Sequence, residues 1–245
     1  MAEPLPTSVH ETPIAPDVSQ LTTEDDQPVE NVFQDKQCDI LTEALRVSWP
    51  QGRPFLSASD VAIFSEAKDE AAIVPDVLLS IGVEPPQPSH TKELRSYFIW
   101  NFGKPPEVVI EIVSNKAGGE DTTKLERYSR IKVPYYVIYD PDQHLGSRPL
   151  RIFQMTGATY VEKVDRFFPE LGLGLTVWLG EFDGFREQWL RWVDAQGNLL
   201  ATGEEEAQRA EREHERAELE RERAELAFNE AERLRQKLRE LGVDP

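Results

Sequence analysis

Apolar and polar residues alternate along the chain in patterns that change several times. From Asn31, VFQDKQCDILTEALRVSW spaces Val32, Phe33, Ile40, Leu41, Leu45 and Val47 at broadly helical intervals until Pro50 and Gly52, which predicts a helix. PFLSASDVAIFS and AAIVPDVLLSIGV read as strands separated by a charged EAKDE turn. A Pro-rich loop at Pro85, Pro86 and Pro88 follows, and KELRSYFIWNFGKPP has no clear period and is expected to be irregular. PEVVIEIVS is a short Val- and Ile-rich run of the kind found in central strands buried on both faces. The Gly118-Gly119 pair breaks the chain, and EDTTKLERYSRI restarts it as a helix, with Glu120 and Asp121 suited to its positive end.

VPYYVIYD is a second buried strand, ended by Asp140-Pro141. LRIFQM and ATYVEKV flank Thr156-Gly157 as a hairpin, LGLGLTVWLG is a further strand, and WLRWVD with NLLATG around Gln196-Gly197 predicts another hairpin. The mixture of strands and helices gives an α/β (α+β) class. Residues 1–30 are rich in Pro, Ser, Thr and acids and lack hydrophobic period, predicting a disordered acidic segment. Residues 31–203 form the expected domain, and residues 204–241 are Ala, Glu, Arg and Leu with no internal break, predicting a charged helix or coiled coil. Ala210, Ala217, Ala224, Ala231 and Leu238 make one heptad column; Glu213, Glu220, Ala227, Leu234 and Leu241 make the other. The seam is apolar only from Ala227 to Leu241, where pairing with another copy, most simply a dimer, is expected.

Charge changes this picture. The formal net charge of -18 is unusual for a chain that handles polyphosphates, which are normally met by Lys and Arg. Both ends carry much of the excess, while residues 91–133 hold Lys92, Arg95, Lys104, Lys116, Lys124, Arg127, Arg130 and Lys132 against fewer acids. Screening over roughly 8–10 Å at physiological salt lets remote acids coexist with a local phosphate site, though not with tight nonspecific binding. Cys38 is the single cysteine, which excludes an internal disulfide and a Cys-rich zinc site. No run is long enough to span a membrane and MAEPLPTSVHETP lacks signal-peptide order, so a cytoplasmic location is the default expectation.

Glu111 is out of place: a carboxylate inside an apolar strand requires a partner, either a cation or a neighbouring Arg or Lys. Hydrolysis of a phosphodiester needs an activated water and neutralisation of charge on phosphorus, and a hard cation held by carboxylates supplies both. Asp76, after Pro75, is a second carboxylate in a strand-like run, although Pro-Asp alone is an edge or turn signal. Lys124 alone reads as a surface helix residue. Glu43 is explained by a solvated helix face or as an accessory carboxylate, Tyr128 by packing or substrate contact, and Tyr97, Phe98, Trp100 and Phe102 by core packing or base stacking. His10, His90, His144 and His214 fall in tail, loop or charged-helix contexts and receive no role.

The ordered set Pro75-Asp76, Glu111-x-Val113-Ser114, Lys124-Leu125 with Tyr128, and VPYYVIYDP resembles the PD-(D/E)XK nuclease superfamily. More closely it resembles the Uma-type ("Uma two") restriction endonuclease family, over about Asn31 to Gly203 and with a similar acidic tail. The resemblance implies a restriction-endonuclease-like mixed β-sheet core flanked by helices, with a long charged C-terminal helix appended. It implies an endonuclease that hydrolyses DNA with Mg²⁺, or Mn²⁺ in its place. Asp76, Glu111 and the Ile112 carbonyl would be the metal ligands and Lys124 would stand near the scissile phosphate. A D/E-x-K lysine would share the strand face of Glu111 at position 113, where this chain has Val113. The family pattern implies its displacement to Lys124, with Glu120 one turn before it as an accessory and Lys116 a weaker substitute. The alternative is a nuclease-fold protein without catalysis that assembles through its helical tail.

Overall fold

The computed structural model describes residues 31–49, 52–65, 72–84, 96–114 and 119–240. The N-terminal segment 1–30, the EAKDE turn, the Pro-rich loop, Lys116 and Leu241 lie outside the described residues. Helix α1 (Val32–Ser48) opens with Asn31, whose side chain accepts the Gln34 N–H at 2.8 Å. Its buried stripe is Cys38, Ile40, Leu41, Ala44 and Leu45, whereas Val32 and Val47, at its two ends, are exposed. Strands β1 (Phe55–Ser59), β2 (Ile63–Phe64), β3 (Val77–Ile81), β4 (Tyr97–Phe98) and β5 (Val108–Ile112) follow, with the single-turn helix α2 (Ile99–Phe102) after β4.

A wide π turn at Glu120–Lys124 runs into α3 (Leu125–Arg130), and then β6 (Tyr135–Tyr139), β7 (Leu150–Thr156) and β8 (Thr159–Lys163) complete the main sheet. Its order is β1-β3-β5-β6-β7-β8. Within this sheet only β5 and β6 are parallel, with the π turn and α3 as the crossover between them, and the other pairs are antiparallel. The molecule is thus the expected mixed sheet with flanking helices.

Both faces of the sheet are covered, so β3, β5 and β6 are buried at every position. On one face, Val77, Leu79, Val108, Ile110, Ile112, Val137 and Tyr139 pack with α1 and with a small sheet of β9 (Phe167–Phe168), β10 (Leu173–Phe182) and β11 (Phe185–Val193). On the other, Leu78, Val109, Val113, Tyr136 and Ile138 pack with Tyr97, Tyr128 and Val133. The open edge of β11 is closed by Gln37, whose amide donates to the Leu190 carbonyl at 2.9 Å and accepts the Leu190 N–H at 2.8 Å.

The C-terminal hairpin differs from expectation. Nine residues of β11 pair with β10 around Asp183 and Gly184, and the turn at Gln196-Gly197 brings back only a bridge between Val193 and Leu199. The long pairing with β10 places Trp189, Leu190 and Trp192 in the core. The segment expected to be irregular contains β4 and α2, where Tyr97 is buried, Phe98 stacks on Phe64, and Trp100 is half exposed beside Phe98.

Helix α4 (Gly203–Glu240) is anchored only at its start. Thr202 and Glu205 form a reciprocal cap, with the Thr202 N–H on Glu205 Oε2 at 2.9 Å and the Glu205 N–H on Thr202 Oγ1 at 3.3 Å. Buried Arg191 donates to Glu205 at 2.6 and 2.8 Å and to the Leu200 carbonyl at 2.6 Å, with its guanidinium 4.8 Å from the Trp178 ring centre. Glu43 Oε1 takes the Gly203 N–H at 2.7 Å. From residue 207 to 240 every position is exposed. The 38-residue helix projects about 57 Å at the usual rise of ~1.5 Å per residue, held in shape by ion pairs such as Arg216 with Glu220 and Arg235 with Glu232. Among the described residues no helix is long and apolar enough to cross a membrane.

Glu205 titrates below its usual range, chiefly because it accepts from Arg191. A lowered folded-state value means that the pair stabilises the protein above the ordinary carboxylate pKa and that this contribution disappears as pH falls through the folded value. Glu205→Ala should therefore cost about 2 kcal/mol at pH 7, less than a fully buried pair because Glu205 keeps contact with water, and the cost should shrink in urea melts at pH 3. An equal cost at both pH values would show that the loss is one of capping alone.

Candidate functional site

Gly119 starts the site from the backbone outward. Its left-handed conformation (φ 70°) turns the chain, and the Lys124 N–H reaches the Gly119 carbonyl at 2.9 Å, closing the wide turn. The Tyr136 hydroxyl donates to the Glu120 carbonyl at 2.7 Å and pins this turn to β6. Glu120, Lys124 and Tyr128 then recur every four residues and share one helical face. That face meets the side of β5 that carries Glu111: Lys124 Nζ lies 2.8 Å from Glu111 Oε2, and the Tyr128 hydroxyl donates to Oε1 at 2.6 Å. Val113, two residues on, is buried against the same core as Tyr128. A lysine at position 113 would stand on this face too; here the ammonium arrives from the helix instead.

Asp76 approaches from the neighbouring strand. Because β3 begins only at Val77, β5 outruns it, and the Ile112 N–H has no strand partner on that side. The Asp76 carboxylate takes that place, with Oδ2 2.5 Å from the Ile112 nitrogen. In a strand the N–H and C=O of one residue point to the same side, so the Ile112 carbonyl also faces the Asp76 side. Gln34, in the first turn of α1, donates to Asp76 Oδ1 at 2.7 Å.

Burial pushes the Glu111 carboxyl up to about 8, and the neighbouring Asp76 adds to this, while Lys124 and the Tyr128 hydroxyl work the other way. Burial also raises Asp76, opposed first by the Ile112 N–H. For Lys124 burial disfavours the ammonium, but Glu111 outweighs it and holds the group above its usual value. Tyr128 lies well above the phenol range through burial and then Glu111, and stays a neutral donor. The buried carboxylates of Glu111 and Glu120 and the half-buried one of Asp76 therefore face one ammonium. Glu120 Oε1 is 3.3 Å from Lys124 Nζ, and its Oε2 is buried with no hydrogen-bond partner.

Asp76, Glu111, Ile112, Lys124, Glu120 and Tyr128 are thus brought together, and Glu43 is not among them, since it holds the start of α4 at Gly203. Gln34 is the site residue that sequence reasoning missed. Its only signal is its place in the first turn of α1, and that turn is brought to Asp76 by tertiary packing. Among the described residues no group of three or more His, Cys, Asp and Glu side chains is close enough together to hold a metal ion, and Lys124 stands between Glu111 and Glu120.

A family model described as "Uma2: Putative restriction endonuclease" matches residues 14–174. Among solved structures, a "putative nuclease belonging to DUF820" from Anabaena variabilis is similar at 13% identity, covering 57% of this chain and 71% of that one, with a TM-score of 0.39. No curated protein matches the chain.

Tyr128→Phe tests the support of Glu111. Loss of the hydroxyl strips a donor from a buried carboxylate and should lower the unfolding free energy by about 1–3 kcal/mol in urea titrations. A change below about 0.5 kcal/mol would mean that water or a shifted Lys124 replaces the phenol.

Proposed function

The chain belongs to the Uma2 restriction endonuclease family, and from that premise we propose that it is a metal-dependent endonuclease that hydrolyses DNA phosphodiester bonds. The observation that carries this reading is that Asp76 takes the Ile112 N–H while Lys124 bonds Glu111, the preceding residue of β5. The donor set fits a divalent cation. All of its ligands are hard oxygens, and a bound cation would favour the ionised form of Glu111, whose carboxyl burial holds at about 8. Asp76, Glu111 and the Ile112 carbonyl would hold Mg²⁺, with Mn²⁺ able to substitute. The cation would supply charge neutralisation at the phosphate and a more acidic water.

The remaining work belongs to the side chains. Lys124 places an ammonium beside Glu111, where it offsets the charge that grows on the attacked phosphate. Tyr128 and Gln34 hold the two carboxylates in fixed rotamers from opposite sides, as a precise site requires. The bases of segment 91–133 favour a phosphate backbone locally despite the acidic total. In this reading residues 31–203 are the nuclease domain, 204–241 are an appended helix, and 1–30 are an acidic extension.

A second reading, an assembly protein built on the nuclease fold, is favoured by α4, which exposes Leu219, Leu226, Phe228, Leu234 and Leu238. Self-association through this helix is compatible with catalysis.

Purified protein should nick or cut DNA with Mg²⁺ or Mn²⁺, and Glu111→Ala and Lys124→Ala should each lower cleavage by at least about 100-fold with unchanged circular dichroism. Cleavage that survives both substitutions would sink the assignment. Light scattering should give a dimer mass for the full chain and a monomer for a chain ending at Gly203; identical monomeric masses would refute pairing through α4.

A further inference from the structure

Among the described residues, Glu120 is a buried carboxylate with an oxygen that no donor meets. It is 5% exposed, one oxygen makes only a 3.3 Å contact with Lys124, and the other is buried with no donor. A buried carboxylate oxygen without a partner is costly, and folding offers ready ways to avoid it. Its position is nevertheless actively maintained: Gly119 supplies the left-handed turn, and Tyr136 fixes the Glu120 carbonyl at 2.7 Å. Neither constraint involves the side chain. The backbone holds this carboxylate in place, and its second oxygen is enclosed without a donor.

The surroundings limit what that oxygen can serve. Lys124 joins Glu120 to Glu111, and the charge of Glu120 is felt at Asp76. Direct ligation together with Asp76 and Glu111 does not match the present spacing, because Lys124 stands between the glutamates. A hard divalent cation, however, keeps several of its own waters, and these are strong hydrogen-bond donors. A lone acceptor one step from the ligands suits such a donor.

We propose that Glu120 is the outer carboxylate of the cation site, its Oε2 accepting a hydrogen bond from water carried by a divalent cation on Asp76 and Glu111. The assignment rests on the reading of those two residues as ligands. It gives Glu120 a positioning role: it sets the orientation of that water and completes the charge balance around Lys124. Outer partners of this kind typically contribute 10–100-fold to metal affinity.

Calorimetric titration of the full chain with Mn²⁺, in the absence of DNA, tests this. Wild type should bind one ion, Glu111→Gln should lose measurable binding, and Glu120→Gln should bind one ion about tenfold or more weakly. Glu120→Asp, which keeps the charge, should recover part of the loss. Thermal melts without metal should show Glu120→Gln at least as stable as wild type, since it removes a buried charge that has one unbonded oxygen and only a long contact to Lys124. Affinity within twofold of wild type for Glu120→Gln, alongside lost binding in Glu111→Gln, would overturn the role of Glu120 and leave the ligand pair standing. Equal losses in the Gln and Asp variants, with a lowered melting temperature, would make Glu120 a packing residue and also overturn it. Absence of binding in wild type, or unaltered binding in Glu111→Gln, would remove the ligand pair and this inference together.

Discussion

A carboxylate in the middle of a strand buried on both faces is the constraint around which this structure is organised. Glu111 has no exposure, and no neighbour in β5 can satisfy it. Its two oxygens are met by Tyr128 and Lys124, which come from one helix through one four-residue spacing. That helix must therefore cross from β5 to β6 in a fixed rotation, and the π turn after Gly119 sets it. The parallel pairing of β5 with β6 and the burial of Tyr136 under the turn follow from the same requirement.

Helix α1 links the two ends of the domain. Its first turn reaches the site through Gln34 on Asp76, its middle closes the β11 edge through Gln37, and Glu43 in its later half receives Gly203. The projecting α4 is thereby fixed to the same rigid element that orients Asp76. Arg191 reinforces the joint from within the small sheet, with Glu205 on one side and Trp178 on the other. An acidic arm held in this way stays clear of the site, since everything beyond its first turn is solvated.

The strand runs VVIEI and YYVIY, the amphipathic period of α1 and the unbroken composition of α4 were legible because each is a local pattern with one inexpensive solution. The choice of partner for β11 was not. The pairing with β10 around Asp183-Gly184 runs the length of β11 and buries Trp189, Leu190 and Trp192, whereas the turn at Gln196-Gly197 adds only a bridge. Within the candidate site, Glu111 could be singled out from a charge in an apolar run, whereas Lys124 and Glu120 came from the family resemblance and Tyr128 read equally well as packing. Asp76 and Glu111 lie 35 positions apart, with two strands and a helical turn between them, so their meeting depended on the registry of β3 against β5.

By itself the sequence determined that Glu111 needed a partner, that Val113 shares its strand face, and where most helices and strands would run. Periodicity and the cost of an unpaired buried charge act over a few residues. Only the tertiary structure decided that Asp76 caps the Ile112 N–H, that Gln34 holds Asp76, and that Glu43 serves α4. Those contacts join segments distant in the chain, and their geometry is set by how strands end and helices pack, which no local pattern encodes.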